Sequence, residues 1–135
     1  MDVSMYDASK AFANPYWRKT TVLSALGTYF NYQDYDSNQV NQDLMTKVLT
    51  PQLASLAPDG GAYLNEVDFQ QPDWKYVFYG RHYNKLNIIK SNYDPNDLFY
   101  ALGAVGSDRW KQILDGRLCR VWNTNVMKLY LQSCT

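Results

Sequence analysis

The chain has 135 residues, which gives room for one domain with a modest core. Its 13 acidic residues balance 13 basic ones, so no excess charge draws it to nucleic acid or to an anionic membrane. No apolar run reaches the roughly 18 residues of a membrane span, and no signal-peptide pattern is seen. We therefore predict no nucleic-acid partner and no membrane partner, and the compartment stays open.

The first residues, 1–13, are weakly patterned and predict a lead-in, and residues 122–135 predict a tail. Between them, the latter part of Asn14–Phe30 is rich in Thr, Val, Leu and aromatic residues and predicts a long strand. The apolar pattern beyond it has helical spacing, with Ser37 as a candidate N-cap. A second helix is predicted with Pro51 at its first position.

The stretch AYLNEVDF alternates and predicts a short strand, which would place Glu66 and Asp68 on one face. A helix is predicted next, from Pro72 to about Tyr93, because apolar residues recur there every three or four positions. Gly80 inside that pattern indicates either close packing or a broken helix. The string DGRLCRV predicts a turn and a final strand.

These elements predict an α+β fold in which helices cover a mixed or antiparallel sheet. One or two long strands make a poor sheet by themselves, so we expect the fold to be part of a larger domain. We also expect Phe78, Leu86 and Ile89 on the last helix to pack against the strand over Thr21–Phe30.

Few residues in the chain bring recognisable chemistry. One histidine and two distant cysteines, Cys119 and Cys134, do not form a zinc site, and they neither establish nor exclude a disulfide. Glu66 lies among aromatic residues, whose desolvating effect would raise its pKa as a general base requires, but the spacing alone favours a solvated strand edge. His82 on an apolar helix face is more often a core histidine than a catalytic one.

Several strings occur in one order and at fixed spacings between Asn14 and Val121: NPYWRK, YLNEVDFQQPDWKYVFYGRHYNKL, IIKSNYDPNDLF, VGSDRW and DGRLCRV. Together they resemble the C-terminal region of the berberine-bridge-enzyme-like FAD-linked oxidoreductases, in particular the fungal type from secondary metabolism. The shared pattern includes Y-x-N-x-x-D, P-x-W, Y-G-x-N-Y, Y-D-P-x-x-L-F and V-G-S-E/D-x-W. The resemblance spans residues 14–121.

The resemblance implies roles for individual residues. Tyr63 and Asn65 match the Y-x-N that approaches flavin and substrate, and Glu66 stands where plant-type members often carry a tyrosine base. Glu66 and Tyr63 are therefore the implied catalytic residues. The implied FAD-contacting residues share two short motifs and are Asn65, Tyr79, Gly80, His82 and Tyr83. His82 replaces the family's asparagine at the isoalloxazine edge, where its ring nitrogens can still donate or accept.

The resemblance also implies FAD as cofactor and a small-molecule substrate that is oxidised by hydride transfer to the flavin. The FAD-binding half has no counterpart in this sequence, so a separate FAD-binding half or a second copy of the chain is the expected partner. Without such a half we expect the chain to be inactive as a flavoenzyme. The alternatives are a cofactor-free binding protein, an isomerase or cyclase that uses Glu66, and a non-catalytic remnant.

Overall fold

The computed structural model describes Met5, Asp7, residues 10–121 and the backbone of residues 131–134. The chain divides into two compact units, Met1–Asn84 and Lys85–Thr135. Both helices and strands are present, so the predicted α+β class is confirmed. The domain boundaries at residues 14 and 121 stay a prediction.

The regular elements are helices α1 (Tyr35–Leu44), α2 (Thr50–Leu56), α3 (Trp74–Tyr79) and α4 (Tyr83–Tyr93), and strands β1 (Trp110–Gln112), β2 (Leu118–Val121) and β3 (Leu131–Cys134). Short 3₁₀ turns lie at Pro15–Arg18, Leu64–Glu66, Gly80–His82 and Ser107–Arg109. The sheet is antiparallel with the order β1-β2-β3.

The predicted helix pair is present, and a wide π turn over Met45–Leu49 joins α1 to α2. The N-cap of α1 is Asp34, whose carboxylate accepts the Ser37 N–H at 3.0 Å, so the predicted Ser37 cap is wrong by one turn. Only Thr50 separates the π turn from Pro51. Because proline lacks an N–H and its ring clashes with the carbonyl four residues earlier, the wider turn relieves the backbone at that point.

The strand predicted within Asn14–Phe30 is absent from the structure. Residues 20–30 form neither helix nor strand, and every side chain from Thr21 to Phe30 is exposed. A strand needs a neighbour to satisfy its backbone, and in the described part of the chain the β1-β2-β3 sheet does not include this segment. The expected packing of Phe78, Leu86 and Ile89 against such a strand stays a prediction.

The predicted helix over Pro72–Tyr93 is broken at Gly80. Helix α3 ends there because Gly80 has φ 55° and ψ −139°, a conformation that residues with a Cβ avoid. A 3₁₀ turn over Gly80–His82 then leads into α4. The predicted strand AYLNEVDF is instead a 3₁₀ turn, Leu64–Glu66.

The predicted turn and strand at DGRLCRV are confirmed, but this strand is not the final one, because β3 follows it and pairs with it. Gly116, with φ 85°, forms the turn between β1 and β2, and its N–H bonds the Ile113 carbonyl at 2.9 Å. Cys119 in β2 is fully buried and disulfide-bonded. The strand register pairs its Cα with that of Cys134 in β3, the other cysteine of the chain.

The loop after α4 is organised by the buried side chain of Asp94. Its carboxylate accepts the N–H groups of Leu98 at 2.8 Å and Phe99 at 3.0 Å, and it also binds the Lys90 ammonium. The Lys90 hydrogen bond is the main reason that the pKa of Asp94 is lowered to about 2; burial opposes the shift, and the two backbone N–H groups support it. The Asp94 carboxylate, directly after α4, therefore holds the loop in place in its ionised form.

This geometry predicts a pH dependence for the second unit. Because the folded-state pKa of Asp94 lies below its ordinary value of 3.8, the stabilisation is present above pH 3.8 and is lost as the pH falls through about 2. We expect Asp94→Asn to destabilise the unit at neutral pH, and the gap between the two proteins to close over that acid range. Urea denaturation at several pH values measures this gap. A gap independent of pH would contradict the assignment.

Candidate functional site

The turn around Tyr63 gathers three of the residues predicted from the sequence. The 3₁₀ turn Leu64–Glu66 follows Tyr63, and the Glu66 N–H bonds the Tyr63 carbonyl at 2.9 Å. The Asn65 amide donates to the Tyr63 hydroxyl at 3.2 Å. Asn65, Glu66 and half of Tyr63 are exposed, so one short turn presents a hydroxyl, an amide and a carboxylate to solvent.

The ring of Tyr63 rests on the N-terminal part of the chain. Trp17, in the 3₁₀ turn Pro15–Arg18, meets it edge to face with ring centroids 6.5 Å apart. In the same turn, the Tyr16 ring packs against Tyr76 of α3 at 5.8 Å. The hydrogen bond between these two hydroxyls raises the pKa of Tyr16. The NPYW string therefore supports both the Tyr63 turn and α3.

Asn14 is the residue that joins these segments, and sequence reasoning gave it no role. Its side chain is 2% exposed, and its Nδ2 donates to the Val77 carbonyl at 2.7 Å. Its Oδ1 accepts the Tyr16 N–H at 3.1 Å. The same Val77 carbonyl accepts the Ala62 N–H at 3.0 Å. The residue before Tyr63 is therefore hydrogen-bonded to α3. An asparagine before a proline is a possible sequence signal for such a cap.

Two glycines make room for the Asn14 side chain. A Cβ on Gly61 would lie 2.6 Å from Asn14 Nδ2, and a Cβ on Gly80 would lie 3.0 Å from Asn14 Oδ1 and 3.2 Å from Pro15 Cδ. Gly61 directly precedes the Tyr63 segment, and Gly80 begins the turn that carries His82. Both candidate segments therefore pack against the buried Asn14 amide. Of the two alternatives predicted for Gly80, close packing is present together with the broken helix.

Three aromatic rings of the first unit form a cluster: Trp74, Tyr79 and Tyr83. Tyr83 meets Trp74 at a centroid distance of 5.5 Å and Tyr79 at 5.8 Å. Lys75 places its ammonium 5.0 Å from the centroid of Tyr83 and 5.6 Å from that of Trp74. Tyr83 is buried and Tyr79 is half-buried, so both rings pack within the first unit, and their contact with a cofactor stays a prediction.

His82 also lies in the interior of the first unit. It is 9% exposed, and its ring meets Phe12 edge to face at 5.5 Å. The sequence allowed both a core histidine and a flavin-contacting one. Its burial and its contact with Phe12 are those of a core histidine, and its contact with a flavin stays a prediction.

The two carboxylates of the YLNEVDF string have different surroundings. Asp68 is half-buried and accepts hydrogen bonds from Thr46 Oγ1 at 2.5 Å and from the Gln70 N–H at 2.9 Å. Glu66 lies on the 3₁₀ turn and is exposed. The prediction that both share one strand face is wrong, because the backbone turns between them. The expected desolvation of Glu66 by neighbouring rings is not present in this chain.

Among the residues that the structure describes, no three His, Cys, Asp or Glu side chains gather as they would around a metal ion. Across the same residues, no helix has the length and apolar character needed to cross a membrane.

Residues 62–105 match the family model described as berberine and berberine like. This range contains the Tyr63 turn, the ring cluster and the Asp94 loop. The chain is 46% identical over 109 residues to the FAD-linked oxidoreductase sor8 of Hypocrea jecorina, which covers 80% of this chain and 19% of that protein. It is also 46% identical over 108 residues to the FAD-linked oxidoreductase patO of Aspergillus clavatus, with 79% and 19% covered.

A solved structure has the same fold. The VAO-type flavoprotein MtVAO615 of Myceliophthora thermophila superposes with a TM-score of 0.66 at 33% identity, over 70% of this chain and 17% of that one. The chain thus spans about a fifth of the length of the proteins it matches. Its fold is that of part of a VAO-type flavoprotein. It carries a berberine-like region, and its relatives are fungal FAD-linked oxidoreductases.

Proposed function

We propose that this chain forms the berberine-like part of an FAD-linked oxidoreductase in a secondary-metabolite pathway, where it helps to oxidise a small organic substrate by hydride transfer to flavin. The observation that supports the proposal is the turn at Tyr63, which presents Tyr63, Asn65 and Glu66 together at the surface. It lies within the range that matches the berberine-like family model. The relatives carry the name FAD-linked oxidoreductase.

The exposed turn fits a flavin-facing surface, since an aromatic ring, an amide and a carboxylate are all exposed on this one short turn. Tyr63 and Asn65 would contact the flavin at this turn. Tyr79 is half-buried and Gly80 is buried, so both lie further from the surface. His82 and Tyr83 are buried, so in this proposal they belong to the interior of the first unit and do not touch the cofactor. When bound, FAD supplies the hydride acceptor.

In the proposed mechanism Glu66 accepts the proton that the substrate loses as its hydride leaves. For an alcohol substrate, the O–H proton would pass to a Glu66 carboxylate oxygen, the O–H bonding pair would form the new C=O bond, and the C–H pair would leave with the hydride. Asn65 donates to the Tyr63 hydroxyl at 3.2 Å, which leaves the hydroxyl proton free to bind a substrate oxygen. In the isolated chain Glu66 is exposed to water. A substrate bound over this turn would exclude that water from the carboxylate.

The test places this chain's aligned residues into sor8 in place of the stretch that they match. We expect Glu66→Gln in this chimera to lower the rate of flavin reduction by the host's own substrate by about 10²–10⁴-fold, because the proton acceptor is lost. Stopped-flow absorbance of the flavin measures the rate.

Asp68→Asn is the matched control, because its hydrogen bonds to Thr46 and Gln70 make its role structural. We expect Asp68→Asn to lower the yield of folded chimera. The rate of flavin reduction, measured per bound flavin, should fall less. An unchanged rate in Glu66→Gln, with a large loss in folded Asp68→Asn, would show that the base has been assigned to the wrong carboxylate.

We also expect the isolated chain not to retain FAD. The motifs in this sequence include no phosphate-binding loop, and a ring that stacks on one side of the flavin does not replace the contacts to the pyrophosphate. The measurement is the flavin absorbance of the purified chain after incubation with FAD and desalting. Stoichiometric flavin would refute this expectation and reveal a cofactor site within the chain itself.

A further inference from the structure

The side chain of Tyr63 is held by one contact at its ring and one at its hydroxyl. At the ring, Trp17 meets it edge to face, with centroids 6.5 Å apart and an interplanar angle of 80°. At the hydroxyl, the Asn65 amide donates a hydrogen bond of 3.2 Å. Half of the Tyr63 surface is exposed, so these two contacts restrict a side chain that a packed core does not enclose.

Trp17 and Tyr63 are both connected to one backbone carbonyl, that of Val77. The Asn14 amide, three residues before Trp17, donates to this carbonyl at 2.7 Å, and the Ala62 N–H, directly before Tyr63, donates to it at 3.0 Å. The Trp17 N–H in turn bonds the Asn14 carbonyl at 3.1 Å. Because the two segments share an acceptor, short chains of hydrogen bonds fix the separation of the two rings.

The orientation of the Tyr63 ring decides where its hydroxyl lies. The hydroxyl is at the far end of a long side chain, so a small rotation about the side-chain torsions moves it further than any other atom of the residue. A misplacement of about 1 Å at a positioned group can lower a rate by about 10²-fold. An edge-to-face ring pair favours its own geometry by about twofold to tenfold. The Trp17 contact is therefore strong enough to select one orientation of the hydroxyl.

We propose that Trp17 is a positioning residue for the Tyr63 hydroxyl. Its ring holds the tyrosine so that the hydroxyl stays beside the Asn65 amide and meets the substrate oxygen, and Trp17 itself does not touch the substrate. The inference rests on the proposed function for the role of Tyr63. It predicts that the Trp17 ring loses its effect on the rate once the Tyr63 hydroxyl is absent.

A double-mutant cycle tests this coupling in the sor8 chimera, built to include the NPYW string. We expect Trp17→Ala and Tyr63→Phe each to lower the rate of flavin reduction at saturating substrate by about tenfold or more. The double variant should be no slower than Tyr63→Phe alone, because the two residues act as a unit. Trp17→Phe keeps an aromatic ring and should recover most of the rate. Losses that multiply in the double variant would overturn the inference.

Tyr16→Phe is the matched control in the same 3₁₀ turn. It loses the hydroxyl hydrogen bond to Tyr76 but keeps its ring and the turn. We expect the rate of flavin reduction to be unchanged in Tyr16→Phe. A loss as large as that in Trp17→Ala would overturn the inference, because the rate would then respond to any disturbance of the turn.

The isolated chain tests the ring contact without flavin. The Trp17 ring current shifts the NMR signals of the Tyr63 ring, which are assigned in tyrosine-labelled protein by their loss in Tyr63→Phe. We expect Trp17→Ala to move these signals toward those of a free tyrosine. The signals of Tyr32 should not move, because its ring partner is Phe30, at 5.1 Å. Unchanged Tyr63 signals would overturn the inference, even if the chimera did not reduce its flavin.

The failure of this inference can be distinguished from the failure of the proposed base. A Glu66→Gln chimera with a full rate of flavin reduction would refute the base and leave the coupling of Trp17 to Tyr63 intact. A Tyr63→Phe chimera with a full rate would overturn the inference, because the hydroxyl would then have no part in the reaction.

Discussion

Replacing Gly80 by alanine is expected to destabilise the first unit by about 2–5 kcal/mol, from backbone strain and steric overlap together. At φ 55° and ψ −139° an L side chain is strained wherever it points. In addition, the new Cβ would lie 3.0 Å from Asn14 Oδ1 and 3.2 Å from Pro15 Cδ. Hydrogen exchange of the α3 amides measures the local free energy of opening.

Gly61→Ala separates the two causes. Gly61 has no positive φ, yet its Cβ would lie 2.6 Å from Asn14 Nδ2, so this variant tests overlap alone. Gly27→Ala is the control, because nothing lies within 4 Å of that Cβ. We expect the loss of stability to fall in the order Gly80, Gly61, Gly27. Equal effects at Gly80 and Gly27 would contradict the role given to the broken helix.

A double-mutant cycle with Asn14→Ala sharpens the test. Asn14→Ala alone should cost about 1–3 kcal/mol, because the Val77 carbonyl and the Tyr16 N–H lose a buried partner. It also removes the amide that obstructs a Cβ on Gly61. Asn14→Ala should therefore offset part of the loss in Gly61→Ala, with a coupling of about 1 kcal/mol or more. Gly80→Ala should stay strained in the same background.

The sequence allowed the helices to be placed because their signals are local. Apolar spacing located α1 and α4, and Gly80 indicated the break before α4. The N-cap of α1 was misplaced because Asp34 and Ser37 are both good caps. Only the geometry shows that the Asp34 carboxylate accepts the Ser37 N–H.

The strands were harder to predict because pairing is not local. Thr21–Phe30 has the composition of a strand but no partner among the described residues, and AYLNEVDF alternates but turns at Asn65. The DGRLCRV strand was predicted correctly because a tight turn at Gly116 places its neighbour nearby in the sequence. A strand can therefore be read from the sequence with more certainty when its partner is a few residues away.

The candidate site was predicted in part. The resemblance selected Tyr63, Asn65 and Glu66, and the structure places them on one exposed turn. It did not indicate Asn14, whose partners lie more than 60 residues along the chain at Tyr76 and Val77. Such a contact depends on the tertiary arrangement, and no spacing rule relates the two segments.

Asp97 is expected to be the most sensitive carboxylate of the second unit, where Asp97→Asn should cost about 2–4 kcal/mol. Its side chain is 5% exposed, and its oxygens bind Arg109 Nη1 at 2.6 Å and Arg120 Nη2 at 2.9 Å. Removing the negative charge leaves two half-buried guanidinium groups facing a neutral amide. Arg109 also binds Asn87 Oδ1 at 2.6 Å, so its displacement would disturb α4 as well.

The choice of substitution distinguishes charge from backbone strain. Asp97 has φ 51°, a left-handed conformation that asparagine tolerates better than alanine does. Asp97→Ala should therefore lower stability further than Asp97→Asn. The control is Asp115→Asn in the same unit, whose ion pair with Arg117 is more than half exposed. Such a pair contributes about 0–1 kcal/mol. Urea denaturation compares the three variants, and equal losses for Asp97→Asn and Asp115→Asn would show that burial of the Asp97 pair adds nothing to stability.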